Sequence, residues 1–242
     1  MIKLVENETD KKTILKLCEK TAFGCKIAAI INAYGLDRAF ANFWHDTYSN
    51  AVFCLVDSLF IISGTIKHKE EVDAFIRAVG AKSVICAVRN AEILKVKPTY
   101  SGDILFKAAD HKSVNELTIS HDVRIREIYN LLEAENMVDE FEAFYLDLSH
   151  KLRHNAAIVM TKEDSSGLIG CVLVSAITDH SAIISAVGVR EEYRRQGIAT
   201  ELVEKAERAL SGKKIYIFKD KNKNDEFYKA LGYKKKETWV TY

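Results

Sequence analysis

The stretch SAVGVREEYRRQGIATELVEKAERAL, Ser185 to Leu210, constrains this 242-residue chain more than any other. An apolar run ends at Val189, and a short polar loop follows with Arg194, Arg195 and Gln196. Gly197 then opens a segment with Ile198, Leu202, Val203, Ala206 and Leu210 at helical spacing, and Gly212 lies beyond its end. The apolar run Lys214 to Phe218 comes next, so the order is strand, loop, helix, strand. Such a crossover makes two strands parallel, because a helix returns the chain to the same end of the sheet. A helix start leaves backbone N–H groups unpaired and carries the positive end of the helix dipole. Gly197 and Ala199 let an anion approach that backbone, while Arg194 and Arg195 add charge. The segment therefore suits a pyrophosphate. It is neither a P-loop nor a dinucleotide-binding fingerprint, since G-x-x-x-x-G-K-[ST] and G-x-G-x-x-G are both missing.

The rest of the chain is read by periodicity. Helices are expected over Lys11–Lys20, Cys25–Tyr34 (ended by Gly35), Leu36–His45 and Glu70–Val79 (followed by Gly80). Ala51–Val56 and Leu59–Ile62 read as a hairpin turned at Asp57-Ser58, and Val84–Val88 as a buried strand. Polar ADHKSVN, after the strand-like ILFKA, marks a division near 108–114, and we divide the chain into 1–110 and 111–242. Beyond it, Asp122 is expected to cap a helix reaching Asn136, and Asp139–Leu152 forms another. Strands follow at Ala156–Thr161, Gly167–Ala176 and Ala182–Val189, the last two joined by the turn Thr178-Asp179-His180. After Lys214–Phe218, a short helix Asp225–Leu231 ends at Gly232, and two closing strands are expected at Tyr233–Thr238 and Trp239–Tyr242. The fold class is thus α/β of the α+β type: a mixed, mostly antiparallel sheet flanked by helices, with an additional N-terminal α/β domain.

Composition removes several function classes. The longest apolar runs fall far short of the ~20 residues that a membrane span needs, and MIKLVENETDKK has no apolar signal region. A soluble, cytoplasmic protein with no membrane partner is expected. With 35 Lys plus Arg against 34 Asp plus Glu, the net charge of +1 gives no reason to expect nucleic acid. Cys18, Cys25, Cys54, Cys86 and Cys171 are scattered, odd in number and without a C-x-x-C pair. They read as reduced, buried hydrophobes rather than a metal or disulfide framework.

Thirty residues after the Arg-rich loop comes FYKALGY, Phe227 to Tyr233. Together with V-x-x-x-Y-R-x-x-G-I-A at Val189 to Ala199, it resembles the acetyl-CoA-binding core of the GNAT superfamily of N-acetyltransferases. The resemblance extends over about residues 114–242 and implies the GNAT fold, with acetyl-CoA as co-substrate and no metal. Arg194 matches the first residue of R-x-x-G-x-G/A, with Gly197 and Ala199 as its small positions. The resemblance implies that the backbone N–H groups of Arg195, Gln196, Gly197, Ile198, Ala199 and Thr200 hold the pyrophosphate. It implies that Val187, Gly188 and Val189 form a splayed strand end pairing with the pantetheine arm, Val189 N–H being the oxyanion donor. Tyr228, beside Phe227, matches the tyrosine that protonates the departing thiolate. Asn222 and Asn224 compete for the pantetheine-contacting position, and Glu191 stands where a proline is frequent.

The chemistry is coherent. An amine must lose a proton to attack a thioester, the oxyanion needs a preorganised donor worth ~3 kcal/mol, and a thiolate needs little acid help. Asp147, His150, Lys151 and His154 share one helix face, and His150 or His154 is a candidate base, with Asp147 and Arg153 as acceptor contacts. Glu191, Glu192 and a water relay remain alternatives. From Lys213 to Lys236, nine lysines stand against three acids, which suits attraction of an anionic cofactor or a solvated face. We expect an N-acetyltransferase that moves acetyl from acetyl-CoA to a primary amine, small-molecule or peptide, in a ternary complex. The alternatives are a catalytically inactive acetyl-CoA-binding regulatory module and a purely structural interaction module. The first part is similar in element order and reads as a degenerate copy lacking R-x-x-G-x-G/A, serving as a pocket wall or a homodimer interface.

Overall fold

The computed structural model describes residues 1–109 and 124–242. Asp122, the expected helix cap, and the expected division at 110/111 lie outside the described residues. In chain order the elements are β1 (Ile2–Leu4), α1 (Glu8–Cys18), α2 (Ala22–Tyr34), β2 (Ala41–Asp46), β3 (Ala51–Val56), β4 (Leu59–Ser63), α3 (Lys69–Ala78), β5 (Ser83–Ala87), α4 (Val88–Leu94) and β6 (Tyr100–Ala108). Then come α5 (Ile125–Glu133), α6 (Phe141–Arg153), β7 (Ile158–Asp164), β8 (Gly167–Ile177), β9 (Ser181–Val189), α7 (Ile198–Ala209), β10 (Lys214–Asp220), α8 (Asp225–Ala230) and β11 (Lys234–Thr241). After β1 the same succession occurs twice: two helices, three strands, a helix, a strand, a helix, a strand.

Contacts divide the chain into two compact units. The first comprises Met1–Leu105, Phe218–Lys229 and Tyr233–Tyr242, and the second comprises Phe106–Ile217 and Ala230–Gly232. The last strand of the second succession, β11, thus belongs to the first unit, and the end of β6 belongs to the second.

In the first unit the strand order is β1-β2-β3-β4-β5-β11. Pairing is antiparallel from β1 to β4 and between β5 and β11, and parallel between β4 and β5, which α3 connects. Local chemistry sets the helix ends. Asn7 accepts from Asp10 N–H at 2.9 Å to start α1, and Thr21 accepts from Gly24 N–H at 2.8 Å to start α2. Gly35, at φ 77°, ends α2 in the left-handed region that favours glycine. Phe53, Phe60, Ile62, Ile66, Val72 and Val240 centre the core. The second unit carries the order β10-β9-β8-β7, antiparallel except for β9 and β10, which α7 connects. Its core gathers Ile128, Leu132, Leu148, Val159, Leu168, Cys171 and Leu173. The mixed, mostly antiparallel sheet flanked by helices is therefore the architecture observed.

Three expectations are corrected. Leu36–His45 is not a helix: Ala41–Asp46 forms β2, with Ala41 and Phe43 buried and Asn42 exposed. Partners on both sides, β1 and β3, supply the hydrogen bonds that a lone reading assigned to a helix. The two closing strands are one, β11, because no turn residue separates Thr238 from Trp239 and the pairing Trp239↔Ala87, Val240↔Cys86 continues through. The expected strand Val84–Val88 stops at Ala87, and Val88 begins α4, which ends at Lys95 in the left-handed region, φ 56°. All five cysteines are free and buried. Burial pushes the thiols of Cys54, Cys86 and Cys171 up to about 12, and that of Cys18 higher still, so they are inert hydrophobes. Among the described residues, no helix is long and apolar enough to cross a membrane.

Candidate active site

The site is built at the end of β9. Its parallel register with β10 runs from Ser181↔Lys214 to Ile184↔Ile217, and Ser185–Val189 continue for five residues beyond it. On the other edge β9 stays paired with β8 as far as Val189↔Gly170. Arg190 N–H donates to Ile169 O at 3.0 Å, so residue 190 faces β8. Alternation along a strand then turns the N–H and C=O groups of Val189 and Val187 the other way, to the edge beyond Ile184. The resemblance asked for such a strand end.

Gly188 is needed for packing. A Cβ added there would lie 3.0 Å from Leu132 Cδ2 on α5. Gly170 on β8 serves α7 in the same way, since a Cβ there would meet Ile198 Cγ2 at 3.0 Å and Leu202 Cδ1 at 3.2 Å.

After Val189 the chain makes one 3-10 turn, Glu191–Tyr193, and enters α7 through two left-handed residues, Arg195 (φ 63°) and Gly197 (φ 80°). No side chain caps α7. Glu201 N–H is the first to find a helical carbonyl, that of Gly197 at 3.0 Å. The N–H groups of Ile198, Ala199 and Thr200 therefore point out of the helix start. A Cβ at Gly197 would meet nothing within 4 Å, so that start is open. An anionic group fits these donors and the dipole behind them.

Arg194, the first residue of R-x-x-G-x-G/A, contacts the protein on two sides. Its Nε donates to Val189 O at 3.1 Å, and its guanidinium pairs with Glu135 in the turn after α5. Arg195, by contrast, is exposed and makes no ion pair among the described residues. Gln196 Nε2 donates to Glu192 O at 3.3 Å, bracing the turn. The 59-residue separation of Glu135 and Arg194 leaves no signal in the sequence by which this pairing could have been found.

His150 on α6 and His154 at its C-cap lie in the same unit with tilted rings, centroids 4.3 Å apart. Asp147 is bound by Lys151 at 2.8 Å, which uses the expected acceptor-contacting carboxylate within its own helix.

Asn222, Asn224, Phe227 and Tyr228 lie in the first unit. Asn222 (φ 63°) and Asn224 (φ 55°) are exposed and left-handed, a conformation asparagine tolerates well. Asn224 O accepts from Tyr228 N–H at 3.2 Å to start α8. Tyr228 is buried against Phe227 and Tyr233, with ring centroids 5.0 and 6.0 Å away. Burial pushes its phenol up to about 12, so it stays protonated at neutral pH.

The lysine run is largely consumed by structure. Lys219 is buried beside Asp225 (2.5 Å) and Asp103 (3.8 Å), Lys235 pairs with Asp103 at 2.7 Å and Lys223 with Asp220 at 2.5 Å. In the second unit Lys213 holds the Thr178 and Asp179 carbonyls at 2.7 and 3.0 Å.

The first succession has a matching strand–loop–helix, β4 to α3, whose helix start is likewise uncapped and whose loop carries an added tie. Asn90, fully buried, accepts from Ile66 N–H at 3.2 Å and donates to Gly64 O at 2.9 Å. Its amide ties two residues of the β4–α3 loop to the start of α4. Among the described residues, no group of three His, Cys, Asp or Glu could hold a metal ion.

Comparison with known proteins agrees with this geometry. Residues 125–233 match the model of the acetyltransferase (GNAT) family. Over 70 residues the chain is 39% identical to an uncharacterised N-acetyltransferase of Chlorobaculum tepidum, covering 29% of this chain and 45% of that protein. The chain thus matches less than half the length of that curated relative. A GCN5-related N-acetyltransferase from Sphaerobacter thermophilus superposes over 100% of this chain and 94% of its own, with a TM-score of 0.63 at 15% identity. A tandem GNAT protein from the clavulanic acid biosynthesis pathway does so over 100% and 97%, with a TM-score of 0.63 at 14% identity. At such identities the two structures speak for the fold alone. The open end of β9 and the uncapped start of α7 both lie within residues 125–233, the part of this chain that matches the acetyltransferase (GNAT) family model.

Proposed function

We propose that the protein is an N-acetyltransferase that moves an acetyl group from acetyl-CoA to a primary amine, small-molecule or peptide, by direct attack in a ternary complex. The observation that carries this reading is the pair of open donor sets on one strand–loop–helix: the edge of β9 beyond Ile184 and the uncapped N–H groups of α7. When bound, acetyl-CoA supplies the activated acetyl group. The N–H groups from Arg195 to Thr200 hold the pyrophosphate, Val187 and Val189 pair with the pantetheine arm, and Val189 N–H donates to the carbonyl oxygen as it gains charge. The amine nitrogen forms the new bond to the carbonyl carbon while the carbon–sulfur bond breaks. The amine proton leaves to His150, His154 or water, and Tyr228 O–H protonates the departing sulfur.

The chemistry belongs to the half 111–242. The half 1–110 is a copy without a cofactor site, because it lacks R-x-x-G-x-G/A before α3. The tandem GNAT relative supports that arrangement. Five unpaired cysteines suit a reducing, cytoplasmic setting.

A thermal-shift titration tests the reading. Acetyl-CoA at 100 times its Kd should stabilise the chain by ~2.7 kcal/mol, raising Tm by several degrees, and Gly197→Glu should abolish the shift. A panel of amines should then release free thiol. No shift in a folded chain removes the cofactor and the enzyme reading; a shift without turnover on any amine leaves a cofactor-binding regulatory module.

A further inference from the structure

Arg194 invites assignment as an anion ligand, but its guanidinium is already engaged on both sides. We propose that Glu135 is a positioning residue of the acyl-transfer site, acting through Arg194 on the end of β9. The proposal rests on the acetyltransferase reading above.

Glu135 sits in a rigid turn after α5. Glu135 N–H and Met137 N–H both donate to Leu132 O, at 3.2 and 3.0 Å, and Asn136 between them is left-handed, φ 53°. That turn grips the end of β9 twice. Leu132, fully buried, covers Gly188 so closely that a Cβ there would lie 3.0 Å away. One residue on, Arg194 Nε holds Val189 O at 3.1 Å while the same guanidinium pairs with Glu135. The planar fork lets one side chain bridge a carbonyl and a carboxylate at once, which a lysine cannot match in geometry.

The bridge bears on the oxyanion donor. Val189 N–H and Val189 C=O lie on the same strand edge. An oxygen gaining negative charge beside that N–H meets the partial negative charge of the neighbouring carbonyl. A guanidinium on that carbonyl offsets the repulsion and holds the residue's orientation. Glu135 keeps the guanidinium there and neutralises its charge, so less of it remains for a ligand phosphate. The phosphate is left to the backbone donors of α7 and to the exposed Arg195.

The test compares Glu135→Gln, Arg194→Met and the double variant. CoA Kd is read by calorimetry, kcat and KM for acetyl-CoA by kinetics, and ligand-free stability by melting. We expect kcat to fall about tenfold in each single variant, since misplacing a donor costs rate rather than ground-state binding. CoA Kd should stay within about twofold, and the double variant should be no worse than Arg194→Met alone, as expected for residues acting as a unit. If Arg194→Met weakens CoA tenfold or more while Glu135→Gln tightens it, Arg194 is an anion ligand and Glu135 its competitor, and the proposal falls. Altered melting with unaltered kcat makes the pair merely structural and overturns it equally. A natural chain that binds CoA but turns over no amine overturns the acetyltransferase reading and this role with it, whereas unaltered kcat in variants of an active chain overturns this role alone.

Discussion

Tyr228 shows how one residue serves both structure and proposed chemistry. Its ring packs between Phe227 and Tyr233, and its phenol, pushed up to about 12 by burial, is a proton donor throughout the neutral range. Tyr228→Phe keeps the packing and removes the proton, so turnover should fall at least tenfold with CoA Kd unchanged; equal kcat refutes the acid role. The raised value also sets a stability signature. The folded state retains the proton where the unfolded chain, at its ordinary value of 10.0, loses it. Stability from this group is complete below about pH 10 and declines as pH rises toward 12, at ~1.4 kcal/mol per pH unit. Denaturant titrations at pH 9 and pH 11 should show the decline steeper in the natural chain than in Tyr228→Phe. Asn222 and Asn224 carry less: their left-handed backbone explains asparagine there without any ligand.

At the scale of elements, β9 and the helices on it decide the site. The contact of Gly188 with Leu132 means that Gly188→Ala should destabilise by ~1–3 kcal/mol through overpacking, with a Tm lower by several degrees, measured by calorimetry. Unchanged Tm would show that α5 yields freely to β9. Most of β9, α7 and their loop was legible in the sequence, because an apolar run, a glycine and a helical stripe are local signals. The helix expected over Leu36–His45 failed for the opposite reason. Ala41–Asp46 is a strand through its pairing with β1 and β3, and nothing in its own six residues announces those partners. The pairing of Arg194 with Glu135 was not legible in the sequence, since the two meet only through the packing of α5 on β9.

For the whole molecule, the doubled element order offers two strand–loop–helix sites, and only the second carries R-x-x-G-x-G/A. Calorimetric titration with CoA should give one site per chain; two would show that the first succession binds as well. Asn90→Ala should cost ~1–3 kcal/mol by leaving Ile66 N–H and Gly64 C=O without it, a loss that urea unfolding would measure. The lysine run shows the same shift from composition to structure. Read as a string it is a basic face, yet Lys219 is buried beside Asp225 and Asp103, two carboxylates that use its charge within the first unit.

Local patterning by itself determined most of the helix and strand succession of the second half and the glycine that opens α7. These depend on residues within a few turns of one another, where propensity and periodicity act. The tertiary structure decided which strands pair, that β11 closes the first unit rather than the second, that Asn90 ties the β4–α3 loop to α4, and that Glu135 holds Arg194. Each of these joins residues distant in sequence, and their contacts form only when helices and sheet bury a shared apolar core.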